Sequence, residues 1–126
     1  MPQTGTSCQD FVQCEFILLI KIDFHIHTKK SILDAAFDFS QAKLDEYIAS
    51  AGLDCIAVTN HNLFDKEQFV EIRESVSVPV FPGIEVDLCK AQFLVSSDGQ
   101  DIDSFDAQCS QISAKCAEVG AFITVE

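Results

Sequence analysis

"FILLIKIDFHIHT", residues 16–28, joins an apolar run to a closely spaced pair of histidines. The apolar part predicts a β-strand that begins near Phe16, with His25 and His27 at its carboxyl end. Residues two apart on a strand project from one face, so the two imidazoles are expected side by side, where they can bind one transition metal. Asp23 is placed on the same face one step earlier, either as a third ligand or as a residue that supports the histidines.

Two more predicted strands lead to metal-binding residue types. The run Asp54–Val58 leads to His61, and Val78–Phe81 leads to Glu85. In α/β folds, functional sites form at the carboxyl ends of strands, and right-handed crossovers bring these ends to one rim. The sequence therefore predicts that these side chains meet the histidine pair at one edge of a sheet.

Composition limits the possible classes of protein. A chain of 126 residues that is 48% hydrophobic fits one domain with a core of its own. Twenty acidic residues against eight basic ones give a net charge of −12, which argues against a basic nucleic-acid-binding module. No apolar run approaches a membrane span of about 20 residues, and the amino terminus lacks the pattern of a signal peptide. No membrane partner is expected.

Cysteine usage favours a reducing compartment. The six cysteines contain no C-x-x-C pair and are Cys8, Cys14, Cys55, Cys89, Cys109 and Cys116. Cys55 lies in a buried-strand pattern, and Cys109 and Cys116 lie at helical spacing. We therefore expect reduced core residues and a cytoplasmic protein; a disulfide framework is the alternative.

Strands alternate with helices along the chain. Residues 1–15 are expected to form a loosely ordered leader before a single domain portion at 16–126. The pattern predicts helices from Ser40 to Gly52, from a capping box at Asp65 to before Val78, and over Ser104–Val119. It also predicts short strands at Val80–Phe81, Gln92–Val95 and Ala121–Val125. This alternation is typical of βαβ units and a parallel sheet; because the chain stops after a predicted strand, either the sheet is open or the natural protein continues.

Three motifs of the chain resemble a known family. Asp23–Thr28, Thr59–Asn62 and Pro82–Glu85 resemble, in order and separation, the first three motifs of the PHP (polymerase and histidinol phosphatase) family. The resemblance spans about Lys21 to Asp87. It implies an α/β fold, namely a partial, distorted β/α barrel (TIM-like, seven-stranded in the family) truncated here after about five strands.

The resemblance also implies an activity. PHP proteins hold up to three divalent ions, usually zinc, manganese or iron, and most hydrolyse phosphoesters by metal-activated hydroxide. Carried over residue by residue, it makes His25, His27, Asp34, His61 and Glu85 metal ligands. Of these, His25, His27 and Glu85 form the implied catalytic set, with Glu85 bridging two ions. The implied substrates are a phosphorylated small molecule, a nucleotide or a nucleic-acid end.

The chain departs from the family pattern in two places, one within the second motif and one after the third. Asn60 stands where the second motif usually has aspartate, and the stretch Cys89–Val95, which includes Gln92, lacks the further histidine that many members carry after Glu85. An aspartate at position 60 is expected to tighten metal binding by accepting a hydrogen bond from a ligand imidazole. These departures favour the alternative function, a non-catalytic PHP-like module attached to a larger ATPase or polymerase-type partner beyond Glu126.

The later family motifs do not occur within these residues. We therefore expect little or no phosphoester hydrolysis by the 126 residues alone, with recovery in a longer chain. Lys29 and Lys30 follow the first motif; they either steer an anionic substrate or are ordinary solvated loop residues.

Overall fold

A computed structural model describes residues 19–31, 36–88 and 91–118 of the chain. The described part is mixed α/β. Its elements, in chain order, are β1 (Ile22–Ile26), α1 (Gln41–Ala51), β2 (Cys55–His61), α2 (Lys66–Ser75), β3 (Val80–Leu88), β4 (Ala91–Ser96) and α3 (Ile102–Glu118). The predicted leader at 1–15 and the predicted strand Ala121–Val125 lie outside the described residues.

The four strands form one sheet in the order β1-β2-β3-β4. β1, β2 and β3 run parallel, as predicted, but β4 runs antiparallel to β3. A parallel connection needs a dozen or more residues, and only two separate Leu88 from Ala91. The expectation of parallel strands throughout was therefore wrong for β4, because β3 is much longer than its predicted two residues.

Pro82 and Gly83 explain why the predicted β3 was too short. Both residue types usually mark the end of a central strand. Here β3 continues through them for nine residues. A Cβ on Gly83 would lie 2.7 Å from Thr59 Cγ2 and 3.0 Å from the Val58 carbonyl oxygen. The glycine therefore permits a close approach of β2 and β3, and the strand continues to Glu85.

β1 is shorter than predicted and irregular. It begins at Ile22, and residues 19–21 do not belong to it. Asp23 pairs with Ile56 and Ile26 pairs with Val58, so three steps along β1 correspond to two along β2. An extra residue of this kind changes which face the following side chains occupy. Simple alternation from Asp23 to the histidines is therefore lost.

The helices begin and end where their capping residues predict. Ser40 caps α1 by accepting a hydrogen bond from the Lys43 backbone N–H at 3.2 Å, and Gly52 ends it with a left-handed φ of 64°. Asp65 caps α2 by accepting from the Gln68 N–H at 2.9 Å. α3 matches the predicted helix as far as Glu118 but begins two residues earlier, at Ile102; Val119 lies outside the described residues.

The hydrophobic core lies between the helices and one face of the sheet. Its largest fully buried apolar side chains are Ile56, Phe69, Ile72 and Ile84, together with Cys109 and Cys116 of α3. Burial raises the pKa of the Cys109 thiol to about 11, with a smaller contribution from the Asp106 charge. Such a thiol stays protonated and unreactive at neutral pH.

The three cysteines in the described ranges are free thiols. Cys109 and Cys116 are buried in the core as predicted, whereas Cys55 is only partly buried; the other three cysteines lie outside those ranges. None of the helices that the structure describes is both long and apolar enough to cross a bilayer.

Candidate metal centre

Three histidines and two carboxylates meet at the carboxyl ends of the parallel strands. His25 lies in β1, His27 directly follows it, and His61 is the last residue of β2. Glu85 and Asp87 lie near the end of β3, where Glu85 is the register partner of His61. The structure thus brings together four of the five residues that the sequence predicted as ligands. The fifth, Asp34, lies outside the described residues.

The first group is formed by His25, His27 and Glu85. Glu85 Oε2 lies 2.9 Å from His25 Nε2 and 2.6 Å from His27 Nε2. The Glu85 side chain is buried, whereas that of His25 is 49% exposed. One carboxylate oxygen therefore lies between two imidazole nitrogens, and the group is open to solvent on the side of His25.

The second group is formed by His61, Glu85 and Asp87. His61 Nδ1 lies 2.8 Å from Asp87 Oδ2 and 3.5 Å from Glu85 Oε2. The His61 ring also contacts the His27 ring, with 4.3 Å between the centroids. Glu85 is common to both groups, in which the potential ligand atoms all lie within 4.8 Å of one another. The two groups thus form one continuous cluster.

One atom of this cluster lacks a protein partner. Among the described residues, Asp87 Oδ1 is buried and accepts no hydrogen bond. A buried polar atom without a partner is costly and needs an explanation. Imidazole nitrogen and carboxylate oxygen are donors that zinc, manganese and iron accept. The donor set and the unpaired oxygen both fit a divalent cation.

Asn60 fixes the backbone directly after His27. Its side-chain Oδ1 accepts hydrogen bonds from the backbone N–H groups of Thr28, at 2.7 Å, and Lys29, at 3.0 Å. Its Nδ2 donates to the Thr28 hydroxyl at 3.0 Å. The side chain of residue 60 thus points toward this turn rather than toward a ligand imidazole, because successive residues of β2 face opposite sides. The structural reason given for an aspartate at this position was wrong.

Gln68 joins α2 to the same turn. The Thr28 hydroxyl donates to Gln68 Oε1 at 2.7 Å, and Gln68 Nε2 donates to the Thr28 carbonyl at 3.1 Å. The sequence suggested only a capping role for Gln68. Its side chain instead ties the first turn of α2 to the segment that carries His27.

Asn62 fixes the backbone of β3 at Glu85 and Asp87. It adopts a left-handed backbone conformation with φ of 50°, which asparagine tolerates better than most residues. Its backbone N–H donates to the Glu85 carbonyl at 2.8 Å, and its Oδ1 accepts from the Asp87 N–H at 2.9 Å. The Ser113 hydroxyl of α3 donates to the Asn62 carbonyl. The end of β2 is thereby attached to both β3 and α3.

Asp23 supports the histidines and does not belong to either group. Its Oδ1 accepts from the His25 backbone N–H at 2.9 Å, and its Oδ2 accepts from the Tyr47 hydroxyl of α1 at 2.6 Å. Of the two roles left open by the sequence, the contacts match the supporting one. The hydrogen bond to the Asp23 carboxylate raises the pKa of Tyr47, and slight burial and the negative charge act in the same direction.

Lys29 is paired with a carboxylate. Its ammonium group contacts Asp65, the residue that caps α2. Burial alone would raise the pKa of Asp65, but Lys29 and the Gln68 N–H outweigh it and lower that pKa. This pairing favours a structural role for Lys29 over substrate steering. Lys30 is exposed.

Asp87 is the functional candidate that the motif analysis missed. Its signal was nevertheless present, because Glu85 and Asp87 are two apart on a strand, the same spacing as His25 and His27. The early predicted end of β3 hid this relation.

Comparison of the chain with protein-family models, with characterised proteins and with solved structures gave no match. Arguments about function therefore depend on the motifs and on the geometry of the cluster.

Proposed function

We propose that this chain is part of a metal-dependent phosphoesterase of the PHP type. The observation that carries the proposal is the convergence of His25, His27, His61 and Glu85, from three separate strands, on one edge of the sheet. These are four of the five residues that the resemblance makes ligands; the fifth, Asp34, lies outside the described residues. The parallel order of β1, β2 and β3 is compatible with one arc of the distorted seven-stranded barrel of that family.

The donor set favours zinc, manganese or iron as the cofactor. Divalent ions in such sites lower the pKa of water and stabilise negative charge on phosphoryl oxygens. His25 and His27 supply nitrogen donors, and buried Glu85 supplies a carboxylate that can bridge two ions. Asp23 holds the backbone of His25, and Asn60 holds the turn directly after His27, so that the donors are oriented before a cation binds.

The half-exposed face at His25 gives access for a substrate. A chain with net charge −12 repels phosphate groups, so bound cations are needed to reverse the local potential. A phosphorylated small molecule, a nucleotide and a nucleic-acid end all offer the required phosphoryl group. A larger ATPase-like or polymerase-like segment beyond Glu126 remains part of the alternative, non-catalytic function.

The proposal is tested by metal binding and hydrolysis measured together. The 126-residue chain is titrated with Mn²⁺ by calorimetry and then assayed on a chromogenic phosphate monoester and diester. We expect Mn²⁺ binding and slow hydrolysis; in His27→Ala, the ion held by His25 and His27 should be lost and hydrolysis should fall to the background. Gln111→Ala, which changes an exposed side chain of α3, should retain both.

Three results are informative. Hydrolysis that persists in His27→Ala, or a wild-type chain that binds no metal, contradicts the proposed function. Because these 126 residues alone are expected to hydrolyse poorly, His27-dependent metal binding supports the non-catalytic module only if a longer chain also hydrolyses neither ester.

A further inference from the structure

We propose that Asp87 is a direct ligand of a second divalent cation, held together with His61 and Glu85. The inference rests on the proposed function, which assigns the first cation to His25 and His27. It adds a ligand that the resemblance does not supply. The ligand chemistry is one imidazole nitrogen with two carboxylate oxygens, which suits Mn²⁺ or Zn²⁺.

The distances allow one ion to contact all three side chains. Zinc–nitrogen and zinc–oxygen bonds of about 2.0–2.2 Å separate the donors of a tetrahedral site by about 3.4 Å. His61 Nδ1 lies 3.5 Å from Glu85 Oε2 and 2.8 Å from Asp87 Oδ2, so small side-chain movements suffice.

The burial of Asp87 argues for a ligand rather than an orienting group. A carboxylate that only orients His61 needs one oxygen for the imidazole, and Oδ2 already contacts Nδ1. Within the described part of the chain, its other oxygen is buried without a hydrogen-bond partner, and the residue is only 1% exposed. A cation gives that carboxylate a charged partner and removes the cost of burying an unpaired oxygen.

The charge balance points the same way. Glu85 and Asp87 are two buried carboxylates on one strand, and both lie against His61. Burying a negative charge is costly unless it is paired, and two such charges repel each other. A divalent cation between them neutralises both. The Asn62 side chain accepts a hydrogen bond from the Asp87 backbone N–H, and its Nδ2 donates to Asp87 Oδ2. It therefore orients this carboxylate but supplies no charge.

The number of bound ions tests the inference. The 126-residue chain is titrated with Mn²⁺ alone, and bound metal is counted by electron paramagnetic resonance. We expect two ions in the wild-type chain, one in Asp87→Asn and one in His25→Ala. The variant that combines Asp87→Asn with His25→Ala should bind none. Asp45→Asn makes the same chemical change at an exposed site on α1 and should retain two.

The count separates a ligand from a positioning residue. If Asp87 only orients His61, Asp87→Asn still binds two ions, with affinity lowered by about 10- to 100-fold at most. That result overturns the inference and leaves the proposed function standing, since the His27-dependent ion remains. A wild-type chain that binds no Mn²⁺ overturns both.

Thermal unfolding without metal provides a second readout. Removing a buried, partly unpaired charge should leave the unfolding midpoint of Asp87→Asn equal to or above that of the wild type. A lower midpoint in the metal-free state, together with an unchanged ion count, contradicts the ligand role. If the variant does not fold, His61→Gln removes the partner ligand and should reduce the count from two to one.

Discussion

At the scale of single residues, Asn60 departs from the aspartate of the motif that it resembles but has a structural role of its own. One amide oxygen accepts the Thr28 and Lys29 N–H groups, and the amide N–H donates to the Thr28 hydroxyl. A carboxylate could accept the same two bonds. It would also add a third buried negative charge to a region that already contains Glu85 and Asp87. Neutral asparagine avoids that cost.

Replacing Asn60 should therefore separate the effect of losing a hydrogen-bond acceptor from the effect of adding a negative charge at this position. In Asn60→Ala, one buried and one partly buried backbone donor lose their acceptor, so we expect the free energy of unfolding to fall by about 1–3 kcal/mol and Mn²⁺ binding to weaken. Asn60→Asp retains the acceptor, and its Mn²⁺ affinity should lie closer to that of the wild type. Urea unfolding and Mn²⁺ titration measure the two effects. Equal unfolding free energies for the alanine variant and the wild type would contradict this role.

Spacing and residue type were enough to predict four of the clustered side chains. His25, His27 and His61 are the only histidines, and each lies at the end of an apolar run, as does Glu85. The supporting contacts were not predictable, because Asn62 and Gln68 act through long-range hydrogen bonds. Such bonds leave no periodic signal in a sequence.

At the scale of elements, helices were predicted better than strands. Helix ends depend on local capping residues such as Ser40, Gly52 and Asp65, which can be recognised in the sequence itself. Strand lengths depend on the neighbouring strand: β3 passes through Pro82-Gly83 because β2 approaches it closely there. The direction of β4 then followed from the length of β3, so one error produced the other.

The link between α1 and the irregular β1 can be measured directly. Tyr47 is the only tyrosine and the chain has no tryptophan, so tyrosinate absorbance reports this residue alone. Because the Asp23 carboxylate raises the pKa of Tyr47 above its ordinary value of 10.0, the native state favours the neutral phenol. Its contribution to stability is complete below the unfolded pKa and is lost as pH rises through the folded pKa.

We expect Asp23→Asn to lower the pKa of Tyr47 toward its ordinary value, measured by ultraviolet titration of the folded chain. Tyr47→Phe should show no titration and confirms the assignment. An identical titration curve in Asp23→Asn and the wild type would show that the two side chains do not interact in solution.

At the scale of the whole molecule, charge acts in two separable ways. A net charge of −12 creates general self-repulsion, which any salt reduces by screening over a Debye length of about 8 Å at physiological ionic strength. The cluster of His25, His27, His61, Glu85 and Asp87 instead brings together side chains of the types that bind divalent ions. Screening of the self-repulsion by salt and binding of a divalent ion would both stabilise the folded chain, but only ion binding depends on particular side chains.

Thermal unfolding in KCl and in Mn²⁺ should separate these effects. Mn²⁺ present at 100 times its Kd should add about 2.7 kcal/mol to the free energy of unfolding per site, at concentrations too low to change the ionic strength. In His27→Ala, the midpoint should still rise with KCl but lose the part of its Mn²⁺ response that comes from the site of His25 and His27, each relative to its own metal-free value. Mg²⁺ at the same concentration controls for divalent screening. If Mn²⁺ stabilised His27→Ala as much as the wild type, its effect would be screening of the acidic surface, and the clustered imidazoles would not be the binding site.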